Sequence, residues 1–185
     1  DFAVIYRIVV KENWNGVSSM RVSNGLFERW GITEERLFEI ARKNMRRRMP
    51  VMKTSLADMM QSLMGKDMIS PGDISEECEE RQLQRMYMVT NRKKINGFGS
   101  VLYPDVLEEM CQILQCDRLY ILPSSVHEAI VMPQDLGMSP EELQEMVKNV
   151  NKDCATEEEY LSDSVYGYSL EEKETYIVSD SGKEA

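Results

Sequence analysis

The chain has 185 residues, of which 42% are hydrophobic and 29% charged, and its formal net charge at pH 7 is −10. These are the values of a globular protein, and they exclude a disordered chain. The negative charge disfavours nucleic acid and anionic membranes as partners, because affinity for a polyanion depends largely on Lys and Arg. No run approaches the roughly 20 apolar residues that span a bilayer, and no signal-peptide pattern is present, so we expect a cytoplasmic protein.

The N-terminal residues predict a hairpin. Residues 2–10, FAVIYRIVV, are β-branched and aromatic with little polar alternation, which is typical of a strand covered on both faces. Asn13, Asn15 and Gly16 are turn residues, and residues 19–23 can return as a second strand.

A helix is predicted next. Thr33 is its expected N-cap, Pro50 ends it, and its apolar positions are Leu37, Ile40, Ala41 and Met45. We interpret Arg46–Arg48 as solvated cations that complement the exposed carbonyl groups of the helix end. An anion- or nucleic-acid-binding patch is the alternative interpretation of these arginines.

The middle of the chain predicts a short strand at 51–54 and a helix capped by Ser55, with Asp58 three residues later. The polar segment 65–81 contains Ser-Pro-Gly-Asp and an acidic run, so we expect a mobile loop or insertion there. Residues 86–91 then predict another strand.

The second half predicts a helix that starts near Pro104 and a strand at 119–122 that ends at Pro123. A further strand is expected at 126–132, ended by Pro133. In the sequence SPEEL, Ser139 is the predicted N-cap, and Glu142 is its partner in a capping box.

The C-terminal part predicts one more hairpin, from 165–168 and 175–178, and a frayed tail at 181–185. Strands in hairpins, punctuated by helices without strict βαβ alternation, indicate an α+β fold. We therefore predict a mostly antiparallel sheet with helices packed on it, in a single domain over residues 1–180.

The stretch LPSSVHEAIVMP holds the chain's one histidine and is the first candidate site. Ser124, Ser125, His127 and Glu128 are the residue types of a hydrolase, in which a serine nucleophile bonds to a base held by a third group. His127 and Glu128 alternate faces on an extended chain, and no G-x-S-x-G motif is present. We favour a turn at 123–125 whose hydroxyl groups bond to the backbone, and we keep the hydrolase as the alternative.

The second candidate is the turn NGFGS, which comprises Asn96, Gly97, Phe98, Gly99 and Ser100. Glycines before a helix can let backbone amide groups hold an anion, and the segment 92–94 adds positive charge. The sequence matches neither of two glycine-rich phosphate-binding patterns, G-x-x-x-x-G-K-[ST] and G-x-G-x-x-G. A structural turn is the preferred interpretation, and a small anionic ligand bound at Asn96, Gly97, Gly99 and Ser100 is the alternative.

Other residue types predict no reaction chemistry. The four cysteines, Cys78, Cys111, Cys116 and Cys154, form no CxxC pair, so we expect reduced thiols, no metal site and no cofactor. The paired acids are interpreted as solvated helix ends. The 14 methionines, such as Met59, Met110 and Met146, are expected mainly in the core, although methionine is also an adaptable contact residue.

The segments FGSVLYPDVLEEM, LYILPSSVHEAIVMP and LSDSVYGY, taken in order, resemble a bacterial family of uncharacterised proteins that is defined as a domain of unknown function. The similarity runs from DFAVIYRIVV to about Tyr168 and is weakest over 65–81. The resemblance implies a bacterial, soluble, intracellular domain that is preceded by further sequence, and it brings no activity, cofactor or catalytic residue.

Taken together, the sequence favours a non-catalytic cytoplasmic module that binds a protein or a small ligand such as an anion. The alternatives are a hydrolase that uses Ser125 and His127, and an anion-binding protein that uses residues 92–100. A third alternative is an anion or nucleic-acid binder in which Arg46–Arg48 and residues 92–94 converge in space. A binding module predicts an exposed apolar surface, and a hydrolase predicts a serine oxygen within hydrogen-bond distance of the imidazole in an open cleft.

Overall fold

The computed structural model describes residues 3–13, 16–64, 81–154, 156 and 158–178. Their contacts divide the chain into two compact units, residues 1–50 and residues 51–185, and each unit is described by itself. The prediction of a single domain stays a prediction. The loop predicted at 65–81, except for Arg81, and the tail predicted at 181–185 lie outside the described residues.

The first unit contains a hairpin and two helices: β1 Arg7–Asn13, β2 Gly16–Arg21, α1 Asn24–Trp30 and α2 Glu34–Arg48. β1 and β2 pair antiparallel, and the Thr33 hydroxyl accepts a hydrogen bond from the Arg36 backbone N–H at 3.3 Å, so the predicted hairpin and N-cap are confirmed. The prediction of a strand covered on both faces is wrong. Residues 3–6 are not in a strand, and Val10 in β1 is exposed, because a two-stranded hairpin covers little of either face.

The second unit is built around one six-stranded sheet in the order β3-β4-β6-β5-β7-β8. Its strands are β3 Val51–Ser55, β4 Tyr87–Asn91, β5 Arg118–Ser125, β6 Glu128–Pro133, β7 Tyr166–Ser169 and β8 Glu174–Ile177. Its described helices include α3 Leu56–Met64, α4 Pro104–Leu114 and α5 Pro140–Cys154, with 3₁₀ helices at Gly97–Leu102 and Gln134–Leu136. Every described strand pair is antiparallel, and the predicted α+β class is confirmed.

Apolar side chains cover both faces of the six-stranded sheet. Because successive residues of a strand point to opposite faces, Leu119 and Ile121 of β5 face α4, whereas Tyr120 and Leu122 face α5. The side facing α4 includes Val106, Leu107, Met110, Cys111 and Leu114, and the side facing α5 includes Met132, Leu143 and Val147. The sheet is therefore a central layer between helices.

Pro123 lies inside a strand, contrary to prediction, whereas Pro133 lies at the end of its strand as predicted. Pro123 does not end β5 but pairs with Ala129, and the strand continues to Ser125 after an irregularity in register. Pro133 pairs with Leu119 as the last residue of β6. Proline is compatible with a strand at a bulge or a strand end, where no ladder N–H is needed. The expected turn at 123–125 is therefore wrong, and the turn lies at Val126–His127.

Local capping predictions are confirmed. The Ser139 N–H donates to Glu142 Oε2 at 2.8 Å, and the Glu142 N–H donates to Ser139 Oγ at 3.2 Å, which is the predicted capping box. The Asp58 N–H likewise donates to Ser55 Oγ at 3.0 Å at the start of α3. The expectation of buried methionines holds for Met110, whereas Met146 is 40% exposed.

Among the described residues, no helix combines the length and the apolar character that crossing a membrane would require.

Candidate functional site

The loop that follows β4 is organised by Asn91, a fully buried residue. Its side-chain Nδ2 donates to the Ile95 carbonyl oxygen at 2.8 Å, and its Oδ1 accepts from the Lys93 N–H at 2.9 Å. The chain can then turn tightly, and Lys94 and Asn96 adopt the left-handed conformation with φ of 53° and 49°. Asn91 therefore fixes where the predicted NGFGS turn lies.

Strand pairing brings the β5–β6 turn beside this loop. β6 pairs with β4 in the register Val89 to Ala129, so the start of β6 lies near the end of β4. The turn residues Val126 and His127 directly precede β6. The two candidate segments of the sequence, 96–100 and 124–128, are thus neighbours in the fold.

The His127 ring contacts both a backbone amide and a carboxylate. Nδ1 accepts a hydrogen bond from the Asn96 N–H at 3.0 Å, and Nε2 lies 3.6 Å from Glu159 Oε1. A ring nitrogen that accepts carries no proton, so in the neutral imidazole the proton is on Nε2, facing Glu159. The ring is therefore held between two segments distant in sequence.

The backbone around His127 is equally bonded. Its carbonyl oxygen accepts from Thr90 Oγ1 at 2.7 Å, and its N–H donates to Ser125 Oγ at 3.1 Å. We call Thr90, Asn96, Ser125, His127 and Glu159 the His127 junction. It joins the end of β4, the loop after it, the β5–β6 turn and the segment before β7.

Val126 adds two main-chain bonds beside the His127 junction. Its carbonyl oxygen accepts from the Phe98 N–H at 3.2 Å, and its N–H donates to the Glu159 carbonyl oxygen at 2.9 Å. The β5–β6 turn is therefore bonded through its main chain on both sides.

The carboxylate of Glu159 is itself oriented by Thr156. The Thr156 hydroxyl donates to Glu159 Oε2 at 2.9 Å. This bond is the main reason that the pKa of Glu159 lies below its usual value; the Thr156 backbone N–H and the nearby His127 also lower it. Glu159 is thus held in its ionised form, facing the imidazole.

The serine candidates do not contact the imidazole. Ser125 Oγ accepts from the backbone N–H of His127, while both ring nitrogens face Asn96 and Glu159. Ser124 lies in β5 and Glu128 starts β6, and both are half-buried. A serine hydrolase needs a ring nitrogen that accepts the hydroxyl proton, and the described residues provide no such contact.

In the NGFGS turn, which is the candidate anion-binding site, two backbone amide groups are already hydrogen-bonded. The Asn96 N–H bonds to His127 Nδ1, and the Phe98 N–H bonds to the Val126 carbonyl oxygen. Gly97, Gly99 and Ser100 continue as a 3₁₀ helix, and Ser100 is fully buried. An anion held by this turn would have to displace bonds that stabilise the fold.

The role of Gly97 is close packing. A Cβ atom at this position would overlap Thr90 Oγ1 and the His127 carbonyl oxygen, and would lie 2.9 Å from the Asn91 nitrogen. The glycine therefore allows the loop to approach β4 and the β5–β6 turn, which is a structural reason for its presence.

Sequence reasoning selected His127 but missed its partners. Thr90 and Asn91 lie in the strand predicted at 86–91, and Glu159 lies among the paired acids that were interpreted as solvated helix ends. The pattern Thr156-x-x-Glu159 matches a capping box, and it could have indicated that this carboxylate is oriented. Nothing local in the sequence indicates that Asn96 and Glu159 meet the same ring.

Two of the cysteines lie together at the end of α4. Cys111 and Cys116 are free thiols, and burial raises the pKa of Cys111 to about 12 and raises that of Cys116. Thiols held in the protonated form are poor nucleophiles and poor metal ligands. In the described ranges no group of three or more His, Cys, Asp or Glu side chains is placed to hold a metal ion. Cys78 and the side chain of Cys154 lie outside the described part.

The two basic segments that were candidates for binding an anion lie in different units. Arg46–Arg48 belong to the first unit and the segment 92–94 to the second. An open groove in the first unit is lined by Met20, Ser23, Gly25, Leu26, Glu28 and Arg29. None of the predicted site residues lines this groove.

Comparison with protein-family models finds a match to a family of unknown function (DUF5688) over residues 1–170. Searches of curated proteins and of solved structures find no match to this chain.

Proposed function

This chain belongs to the DUF5688 family, whose description assigns no activity, and we propose that it is a non-catalytic module of the bacterial cytoplasm that binds another protein chain through its first unit. The observation that carries the proposal is the exposed apolar surface of residues 1–50. Free thiols at Cys111 and Cys116 support a reducing compartment.

The first unit buries very little of its own apolar surface. Of its described hydrophobic residues, Leu37 alone is buried, at 9% exposure. Seven large hydrophobic side chains are exposed: Val4, Ile5, Val10, Met20, Trp30, Phe38 and Ile40. Burying apolar surface contributes about 25 cal/mol per Å², so a partner that covers these side chains would be bound with a favourable free energy.

The distribution of residues on α2 supports the same proposal. Leu37, Ala41 and Met45 follow one another at helical spacing and are buried or half-buried. Phe38 and Ile40 flank this row on opposite sides, with 40% and 37% exposure. The apolar arc of α2 is therefore wider than the strip that its own unit covers.

Neither alternative gains support from a contact. Both nitrogens of the His127 ring face groups other than a serine oxygen, and two amide groups of the NGFGS turn are already bonded. These bonds connect segments of the fold, which favours a structural role for the His127 junction. A protein partner also fits better than nucleic acid, given the net charge of −10.

The proposal is tested by site-specific photo-crosslinking in cells that produce the full chain. A benzophenone amino acid at Ile40 should give a discrete covalent adduct whose protein component is identified by mass spectrometry. The matched control is the same probe at Glu39, which is exposed on the charged side of α2 and pairs with Arg36. If Ile40 gives no adduct beyond the Glu39 level, the proposal is wrong.

A further inference from the structure

We infer that α2 of one copy docks on α5 of a second copy of this chain, which is an inference that rests on the proposed function. On α2 the contact uses Ile40, Lys43 and Arg47, which we call the α2 stripe. On α5 it uses Glu142, Met146 and Val150, which we call the α5 stripe.

The α2 stripe combines an apolar side chain with two cations. Ile40, Lys43 and Arg47 are spaced i, i+3 and i+7, so they lie on one side of the helix. All three are exposed. In the part of the chain that the structure describes, neither Lys43 nor Arg47 has an ion-pair partner, so both cations are available to an incoming acid.

The α5 stripe has the complementary composition. Met146 and Val150 are 40% and 39% exposed, although they neighbour Leu143 and Val147, which pack on the sheet. Glu142 precedes Met146 by one helical turn. α5 therefore presents apolar surface beside negative charge, as α2 presents apolar surface beside positive charge. Glu145, also exposed, adds a further acid to this part of α5.

The spacing of the two stripes matches in an antiparallel arrangement. With a rise of about 1.5 Å per residue, Ile40 and Arg47 are roughly 10 Å apart along α2. Glu142 and the midpoint between Met146 and Val150 are roughly 9 Å apart along α5. When the helices run in opposite directions, Ile40 therefore meets Met146 and Val150 while Arg47 meets Glu142.

The charge distribution favours a second copy as the occupant. Residues 1–50 contain 10 of the chain's 22 Lys and Arg residues and 6 of its 32 Asp and Glu residues, which gives this segment a net charge of +4. Residues 51–185 hold the remaining 12 and 26, which gives −14. The anionic surface that the α2 stripe requires is thus present on every copy of the chain. The same −14 repels nucleic acid and anionic membranes.

The proposed contact joins two different surfaces, α2 on one copy and α5 on the next. Two such contacts can close a twofold dimer in which α2 of each copy meets α5 of the other, and contacts that do not close in this way generate larger rings or open chains of copies. The test therefore requires a measurement that resolves monomers, dimers and larger assemblies.

The first test is sedimentation velocity of the full chain over about 5 to 500 μM, a range suited to weak contacts. We expect concentration-dependent association that Ile40→Ser and Met146→Ser each weaken at least about tenfold. Ile113→Ser is the matched control, because it removes a similarly exposed apolar side chain, at 43% exposure, from α4 outside both stripes and should leave association unchanged. Circular dichroism confirms that each variant is folded.

The second test is a charge exchange. Lys43→Glu and Glu145→Lys should each weaken association, because Lys43 lies opposite Glu145 in this antiparallel arrangement. The chain carrying both changes should regain association, since the pair is restored with reversed sign. Arg21→Glu, a reversal outside the α2 stripe, is the control. Glu145 is used because replacing Glu142 would also remove the capping box.

The outcomes separate this inference from the proposed function. A chain that stays monomeric at every concentration, or association that Ile40→Ser and Met146→Ser leave intact, overturns the inference. An Ile40 adduct with a different protein in that case retains the proposed function. Absence of any Ile40 adduct removes the proposed function itself.

Discussion

Gly97 lies where packing leaves no room for a side chain. We expect Gly97→Ala to lower the free energy of unfolding by about 2–3 kcal/mol, because the new methyl group meets backbone atoms of His127 and Asn91 that cannot move cheaply. Gly25 in α1 is the control, since a Cβ there has no neighbour within 4 Å. Gly25→Ala should be neutral or raise stability by up to about 1 kcal/mol. Urea unfolding measures both variants, and equal effects would contradict this explanation.

His127 contributes to stability through a specific acceptor atom. His127→Leu removes the acceptor of the Asn96 N–H, and because this hydrogen bond is exposed to water we expect a loss of about 0.5–1.5 kcal/mol in the free energy of unfolding. In His127→Asn the side-chain oxygen can occupy the Nδ1 position, so less than half of that loss is expected. Denaturant titration of the two variants distinguishes the hydrogen bond from simple loss of the ring. Identical losses would show that the acceptor is unimportant.

At the residue scale, the sequence identified which side chains to examine but not what they contact. His127 was selected because it is the one histidine of the chain. Asn96 precedes it by 31 residues and Glu159 follows by 32, so local spacing carries no information about either contact.

The elements show which features are locally encoded. Caps at Thr33, Ser55 and Ser139 follow from hydrogen bonds that span three residues, so the sequence predicts them correctly. The prediction of a turn at 123–125 was wrong. A proline can lie within a strand when the pairing with the neighbouring strand does not need its N–H, and that pairing cannot be read from the local sequence.

The α5 capping box makes a pH-dependent contribution to stability. Hydrogen bonds from Ser139, first its backbone N–H and then its side chain, hold the pKa of Glu142 below its usual value of 4.5. A carboxyl group whose pKa is lower in the folded state stabilises the fold above about pH 4.5 and loses that contribution as the pH falls through the folded pKa. The Glu142→Gln variant should therefore be less stable than the unmodified chain at pH 7. This difference in stability, the Glu142→Gln gap, should narrow towards pH 3.

The gap is measured as the difference in urea midpoint between the two proteins at several pH values. Glu141→Gln is the control, because it removes a charge from the same helical turn without touching the capping box. A Glu142→Gln gap that stays constant from pH 7 to pH 3 would show that the ionised carboxylate is not the stabilising form.

At the scale of the whole molecule, the two units differ in how much core they contain. Both faces of the six-stranded sheet are covered within residues 51–185, whereas Leu37 is the one buried hydrophobic residue described in 1–50. We expect the fragment 51–185 to unfold cooperatively in urea and the fragment 1–50 to lack a cooperative transition. If 51–185 is unfolded without the first unit, the prediction of one domain over 1–180 is supported instead.

The sequence by itself determined the α+β class, the helix caps and most of the strands, because hydrophobic period and capping bonds act over a few residues. Only the tertiary structure decided the strand order, in which β6 lies between β4 and β5, and that order places the β5–β6 turn beside the loop after β4. Pairing between distant strands depends on the combined packing of both sheet faces, and no short window of residues contains that packing. The partners of His127 follow from this long-range packing.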